Sequence, residues 1–298
     1  MSDRPDLRSL DAANLFDLSG CIAVITGGSS GIGLMIGTTL IANGAKVYIV
    51  GLDEKEVTTI ADKYTALAKE QGTKGSMAKA ERIASEIAKK ESYITVLFNN
   101  AGIIGTPTVP QSKHSGEVYA HEYGKLTDDD FHKVFSVNTI GPYFLSVAFL
   151  PLLTASKTKA PYGEKFQPQI INTSSMNGWT KDPATGGHGY PYLLSKGAIG
   201  HLTSLLAHDF LPIGVRVNQI APGWFVTGMS APGTINEWGQ SDKRQMNSEE
   251  FGFRTPVSGS GSAKDVGSVA LSLIVNRFVN GESILVDGGT LLVHPSKY

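Results

Sequence analysis

Short, continuous apolar runs recur along the chain. "CIAVIT" (21–26), "AKVYIVG" (45–51), "YITVLFNN" (93–100), "IINTSS" (170–175), "VRVNQIAP" (215–222) and "SILVDGG" (283–289) are too short for helices and lack the polar alternation of half-exposed strands. They predict strands buried on both faces, as in a parallel sheet covered by helices. Between them lie helical segments: "LMIGTTLIANG", stopped at Asn43-Gly44, then "EKEVTTIADKY", "MAKAERIASEIAKKE", "FHKVFSVNTIGPYFLSVAFLPLL", "LLSKGAIGHLTSLLAHDF" and "AKDVGSVALSLIV". Strand and helix alternate without a linker or repeat, which predicts a single-domain α/β fold. Residues 1–17 read as a polar arm, 18–298 as the domain, and 223–264, rich in Gly and Ser, as a substrate loop. One strand is ambiguous. A strand at 65–68 would end on Lys69-Glu70, or the sheet's edge strand is shortened or lost.

Composition narrows the partners. The chain has 298 residues, enough for one large α/β domain. Its formal net charge of -1 offers nothing to nucleic acid or an anionic membrane. The single cysteine, Cys21, has no disulfide partner and no metal-ligand spacing, so no metal site is expected and a reducing, cytoplasmic compartment fits. The N-terminus lacks an apolar leader core, and the apolar stretch 143–153, interrupted by Ser146 and Pro151, is too short to span a bilayer.

Candidate chemistry gathers after the strands. "TGGSSGIG", Thr26 to Gly33, stands between a strand and a helix in the first βαβ unit. Gly27 permits the tight turn, and Gly31 and Gly33 let backbone and helix approach a pyrophosphate at the helix N-terminus. Thr26, Ser29, Ser30 and Ile32 belong to the same loop. Asn99-Asn100-Ala101-Gly102, Ser174-Ser175 and Pro222-Gly223 fall at later strand ends, where such sheets bind ligands. "YPYLLSK" (190–196) poses a choice between two tyrosines. Tyr192 and Lys196, four apart, share a helix face, whereas Tyr190 does not share it. A lysine beside a phenol can lower its pKa.

Together these motifs resemble the short-chain dehydrogenase/reductase family. The likeness spans about residues 18 to 289: TGxxxGIG at 26–33, NNAG at 99–102, Asn138 in the long helix, Ser-Ser at 174–175, YxxxK at 192–196 and PGxxxT at 222–227. The arm, the stretch after the glycine turn and the VDGG ending resemble fungal NADP-dependent members akin to rhamnolipid-type 3-oxoacyl reductases. The resemblance implies a Rossmann-like doubly wound parallel sheet with helices on both faces, and a tetrad. Tyr192 would be the general acid or base, and Lys196 would lower its pKa and hold the nicotinamide ribose. Ser175 would bind the substrate carbonyl, and Asn138 would hold a relay water. Thr26, Gly27, Ser29, Ser30, Gly31, Ile32, Gly33, Asp53, Asn99, Ala101, Gly102, Pro222, Gly223, Phe225 and Thr227, with Tyr192 and Lys196, would contact the cofactor. Tyr190 would line the pocket, and Trp179, Trp224, Phe225 and Met229 would wall it or pack a lid. A homotetramer or dimer would form through the long helix 131–153 and the helix after Tyr192.

Departures from the pattern keep alternatives open. Gly51-Leu52-Asp53 follows the second strand, with Gly51 where NAD users carry an acid and Leu52 where many NADP users carry arginine. NADP(H) is favoured, and NAD(H) is possible through Asp53. The expected function is reduction of a ketone of moderate size, or oxidation of a secondary alcohol. The rival is a catalytically impaired dinucleotide-binding scaffold, because the adenine clamp near 64–76 is altered and Lys69 would face the phosphate. A third reading is dehydration or epimerisation on the same fold.

Overall fold

The computed structural model of the chain describes residues 7–80, 83–106, 115–160, 165–186, 189–242, 248–257 and 259–298. Seven strands form one sheet: β1 (Ile22–Thr26), β2 (Lys46–Val50), β3 (Ser76–Lys79), β4 (Val96–Asn99), β5 (Gln169–Thr173), β6 (Arg216–Pro222) and β7 (Ser283–Val286). Their order is β3-β2-β1-β4-β5-β6-β7, all parallel. The winding reverses between β1 and β4, which opens a crevice at their carboxyl ends.

The described helices are α1 (Ala12–Leu15), α2 (Gly31–Ala42), α3 (Glu54–Glu70), α4 (Ile83–Lys90), α5 (Gly116–Tyr123), α6 (Asp128–Phe135), α7 (Gly141–Lys159), α8 (Gly189–Asp209), α9 (Ala263–Val275) and α10 (Thr290–Val293). Alternation along each strand divides the core into two layers. Ala23 and Ile25 of β1, with Val96 and Phe98 of β4, pack against Leu34, Leu40, Ile60 and Leu273 from α2, α3 and α9. Ile22, Val24 and Leu97 face the other way, onto Ile87, Phe149, Leu153 and Leu206 from α4, α7 and α8. Burial on both faces is why the central strands β1 and β4 are almost wholly apolar.

Three sequence expectations change. The segment 64–70 continues α3, whose Tyr64 and Ala68 are buried, so no strand forms at 65–68. The edge strand is instead β3, read from the sequence as the start of a helix, and Lys79-Ala80 ends it rather than Lys69-Glu70. The long helix is interrupted: Ser136–Ile140 form one π turn between α6 and α7, with Asn138 inside it. The helical run Asp128–Lys159 is long and apolar enough to cross a membrane by length and composition, more than the sequence stretch 143–153 suggested, because α6 and the π turn extend it. Phe149 and Leu153 on it are fully buried against the sheet, as in a core helix. The polar arm holds a 3-10 turn (Leu7–Leu10) and α1, capped by Asp11.

Candidate active site

The glycine turn shapes the crevice floor. Gly27 (φ +63°) and Gly31 (φ +54°) adopt backbone that other residues avoid. A Cβ on Gly33 would lie 2.2 Å from the Gly27 carbonyl oxygen and 2.5 Å from Asn100 Nδ2. The helix therefore approaches the turn as closely as only glycine allows. Gly27, Ser30, Gly31 and Ile32 line a cavity of about 510 Å3, along with Asn100, Ala101, Gly102, Pro222, Gly223, Phe225 and Thr227. Thr26 and Gly33 lie behind this lining, and Ser29 is buried facing Gly51.

The polar groups of Thr26 and Asn100, between β1 and β4, are paired. Thr26 Oγ1 accepts from the backbone N–H groups of Asn100 and Ala101, both at 3.0 Å. Asn100 Nδ2 donates to the carbonyls of Thr26 (3.1 Å) and Gly27 (3.2 Å), and its Oδ1 accepts from Thr173 Oγ1 at 3.2 Å. Asn99, expected at the cofactor, points below the sheet and donates to Asn172 Oδ1 (2.9 Å) and Ser146 Oγ (3.1 Å). Strand parity explains the correction: adjacent residues face opposite sides, and Asn100 takes the cavity side.

Helix α8 carries Tyr192 and Lys196 on one buried face. Lys196 Nζ donates to the Thr173 carbonyl at 2.8 Å and stands 5.6 Å from the Tyr192 ring centroid. The Tyr192 phenol lies beside the Ser175 side chain. Ser175 Oγ also accepts from the Asn177 N–H at 3.1 Å, whereas Ser174 Oγ donates to the Lys196 carbonyl at 2.8 Å, tying β5 to α8. The second serine is thus the one that meets the tyrosine. Burial pushes the Tyr192 phenol up, with the neighbouring Ser175 side chain opposing it, so the expected lowering does not appear. Burial also pulls Lys196 down to about 8.

Asn138 meets the site from below. Its Oδ1 accepts from the Ile103 N–H (2.9 Å), and Nδ2 donates to the Ile103 carbonyl (2.9 Å) and Ser195 Oγ (3.0 Å). A Cβ on Gly102 would lie 3.3 Å from Asn138 Oδ1 and 3.5 Å from Lys196 Nζ, so this glycine separates the two side chains. The amide is largely engaged in holding Ile103 to α8. A relay water would have to use the second lone pair of Oδ1 or the backbone carbonyl.

The opposite wall is apolar. Trp224, Phe225 and Met229 line the cavity as expected, and Met176, Phe251 and Phe253 join them. Trp224 packs on Phe251 with centroids 4.6 Å apart and edge-on against Phe253 at 5.6 Å. Tyr190 does not line the cavity; it is 43% exposed and packs edge-on against Tyr123 at 5.3 Å. Trp179 packs against Tyr298 instead. His188 lies outside the described residues. Met176, Asn177, Ala184, Thr185, Phe251 and Phe253 were not foreseen; only the aromatic spacing in "EEFGF" (249–253) hinted at the last two.

A smaller cavity of about 180 Å3 lies past β2, lined by Gly51, Leu52, Glu54, Val57, Lys79 and Ala80. Asp53 does not line it, because its carboxylate caps α3 by accepting from the Glu56 N–H at 3.0 Å. Leu52 is fully exposed, and Lys79 pairs with Glu54 at 2.8 Å. Lys69 sits in the last turn of α3, away from this cavity.

A glycine-lined crevice at the reversal of a parallel sheet, with a buried tyrosine, lysine and serine at its end, defines a nucleotide-dependent oxidoreductase. Comparison with known proteins agrees. Residues 21–238 match the profile of the family described as short chain dehydrogenase. The short-chain dehydrogenase/reductase PhomF of Diaporthe leptostromiformis is 34% identical over 302 residues, covering 97% of this chain and 98% of that protein. The rhamnolipids biosynthesis 3-oxoacyl-acyl-carrier-protein reductase of Pseudomonas aeruginosa is 27% identical, over 92% of this chain and 97% of that one. A gluconate 5-dehydrogenase from Burkholderia cenocepacia, solved with NADP and tartrate, superposes with a TM-score of 0.71 at 25% identity, over 95% of this chain and 100% of that one. The chain belongs to the short-chain dehydrogenase/reductase family. It is an oxidoreductase acting on CH–OH/C=O groups.

Proposed function

We propose that this protein reduces a ketone to a secondary alcohol with NADPH. The observation that carries the reading is the grouping of Tyr192, Ser175 and Lys196 on one cavity wall, with Lys196 Nζ 5.6 Å from the tyrosine ring centroid. When bound, the nicotinamide supplies the hydride. Tyr192 Oη gives its proton to the carbonyl oxygen as that oxygen gains charge, and Ser175 Oγ donates a hydrogen bond to the same oxygen. Lys196 stabilises the phenolate left behind.

The cradle fits a dinucleotide: a Cβ at Gly33 would collide with the Gly27 carbonyl, and a Cβ at Gly31 would meet Thr227 at 3.3 Å. Gly27, Ser30, Gly31 and Ile32 would hold the pyrophosphate on the α2 N-terminus. Ala101, Gly102, Pro222, Gly223, Phe225 and Thr227 would flank the nicotinamide half. The NADP preference is supported by Lys79, the cation lining the smaller cavity, and by the NADP held in the Burkholderia relative. Titration with NADPH and NADH, alongside ketone reduction by wild type and Tyr192→Phe, tests the reading. NADPH binding that survives in the variant while turnover is lost supports it. No binding of either nucleotide at millimolar concentration would sink it.

The protein would act in the cytoplasm, where the lone buried Cys21 stays reduced. Ile140, Tyr143, Phe144 and Val147 are exposed along the π turn and α7, and Leu194 and Leu205 on α8. Such a patch supports pairing with a second copy into a dimer or tetramer. A monomer by light scattering at micromolar concentration would refute that assembly.

A further inference from the structure

Asn177 is the polar anomaly of the substrate wall. It sits on the 3-10 turn Met176–Gly178, two residues beyond Ser175, and lines the large cavity. The residue is only 3% exposed. Its backbone N–H is used, donating to Ser175 Oγ. Among the described residues its side-chain amide has no hydrogen-bond partner at either end, and Oδ1 is fully buried. Native proteins rarely leave such a group unpaired, because burying an amide without a partner costs stability that an apolar side chain of the same size would not. By contrast, Asn100 and Ser174, which line the same cavity, are partnered, as are Thr26 and Asn138 behind it.

We infer that Asn177 is a specificity-determining residue that hydrogen-bonds a second oxygen of the substrate, on a flat apolar ketone. This rests on the ketone-reductase reading above. The position of the amide fixes the chemistry. Ser175 and Asn177 belong to one turn, so the second oxygen lies on the same side of the substrate as the reacting carbonyl. With Oδ1 buried, Nδ2 is the end of the amide left to a ligand, and it donates to an oxygen that can accept, such as that of a phenolic hydroxyl. Facing the turn are Trp224, Phe251 and Phe253, whose rings bury flat hydrocarbon at little conformational cost. The substrate class is therefore a fused-ring aromatic ketone carrying an oxygen substituent close to the carbonyl. A site that supplies a hydrogen bond for such a group rejects the analogue lacking it.

The test uses α-tetralone, and α-tetralone bearing one phenolic hydroxyl at each ring position in turn. Two readouts are taken with NADPH present: kcat/KM for reduction, and the thermal shift each ketone produces, which needs no turnover. The expected result is one positional isomer favoured over α-tetralone by on the order of 10-fold or more in wild type, by both readouts. The preference collapses to about 1 in Asn177→Leu and in Asn177→Ala, by the same reasoning. Melting temperatures of the variants without ketone show whether they fold. A preference unchanged by both folded variants, or no isomer preferred by wild type, overturns the inference. If wild type binds one isomer preferentially through Asn177 but reduces none, the inference stands and the reductase reading fails.

Discussion

The two walls of one cavity are built on opposite principles. On the β1–β4 side the polar side chains nearest the cavity are tied down by the protein: Thr26 to the Asn100 and Ala101 N–H groups, Asn100 to the Thr26 and Gly27 carbonyls and the Thr173 hydroxyl, Asn138 to Ile103. On the other side rings dominate, and the one buried amide, Asn177, has no protein partner among the described residues. A saturated network holds its shape regardless of what binds, which suits a cofactor that is the same at every turnover. An unsaturated wall leaves its hydrogen bonds to the substrate. Removing a side chain should therefore cost stability on the first wall and selectivity on the second.

The largest expected effect lies where the walls meet. Tyr192→Phe removes the proton donor and should lower kcat by on the order of 10^3-fold, with NADPH binding retained in a fluorescence titration. Turnover within about 10-fold of wild type would remove Tyr192 from the chemistry. Next, Thr26→Val leaves the Asn100 and Ala101 N–H groups without their acceptor. A loss of about 3 kcal/mol in denaturant unfolding is expected, and a change below about 0.5 kcal/mol would break the contrast between the walls.

Lys196 gives a pH test. Its folded pKa, about 8, lies below the ordinary 10.5. Below about pH 8 both folded and unfolded lysine are charged, and the burial penalty is present in full. From pH 8 upward the folded lysine loses its proton while the unfolded one keeps it, so the unfolded state binds more protons and stability rises. Tyr192, shifted up, opposes this only above the ordinary tyrosine range near 10. Between pH 8 and 10 wild type should gain up to about 2 kcal/mol relative to Lys196→Met, read from paired unfolding curves. Parallel curves would mean that burial does not depress this lysine.

At the outer cavity, Lys79→Ala should raise KM for NADPH by about 10-fold and leave KM for NADH unchanged. Equal rises for both would move the phosphate contact elsewhere. The smallest effect sharpens the comparison most. Asn177→Leu should leave the melting temperature unchanged or raise it by about 1–3 °C, since no protein hydrogen bond is lost. A fall of more than about 5 °C would show the amide to be structural after all.

Reading the chain alone worked where burial is symmetric. The runs at β1, β2, β4, β5 and β6 stand out because those strands are covered on both faces, and the glycine turn is legible because close approach permits no side chain. It failed at the sheet's edge. β3 reads "SMAK", a half-buried strand of helix-favouring residues, and its pairing with β2 outweighs that local preference. Asp53 was read as a ribose ligand, but an aspartate before a helix finds its nearest donor in the Glu56 N–H. Asn138 lies in the long helical run, but the π turn around it is invisible in the sequence, since nothing in "SVNTI" announces a wider hydrogen-bonding pattern.

What the sequence by itself determined is the set of groups and their spacing: glycines after β1, an Asn pair after β4, a serine pair after β5, and a tyrosine and lysine four apart. The tertiary structure decided how each member of a pair is placed. Asn100 faces the cavity and Ser175 lies beside Tyr192, while Asn99 and Ser174 tie β4 and β5 to their neighbours. The reason is geometric: neighbours on an extended chain point to opposite sides, and only the register of the whole sheet says which side is the site.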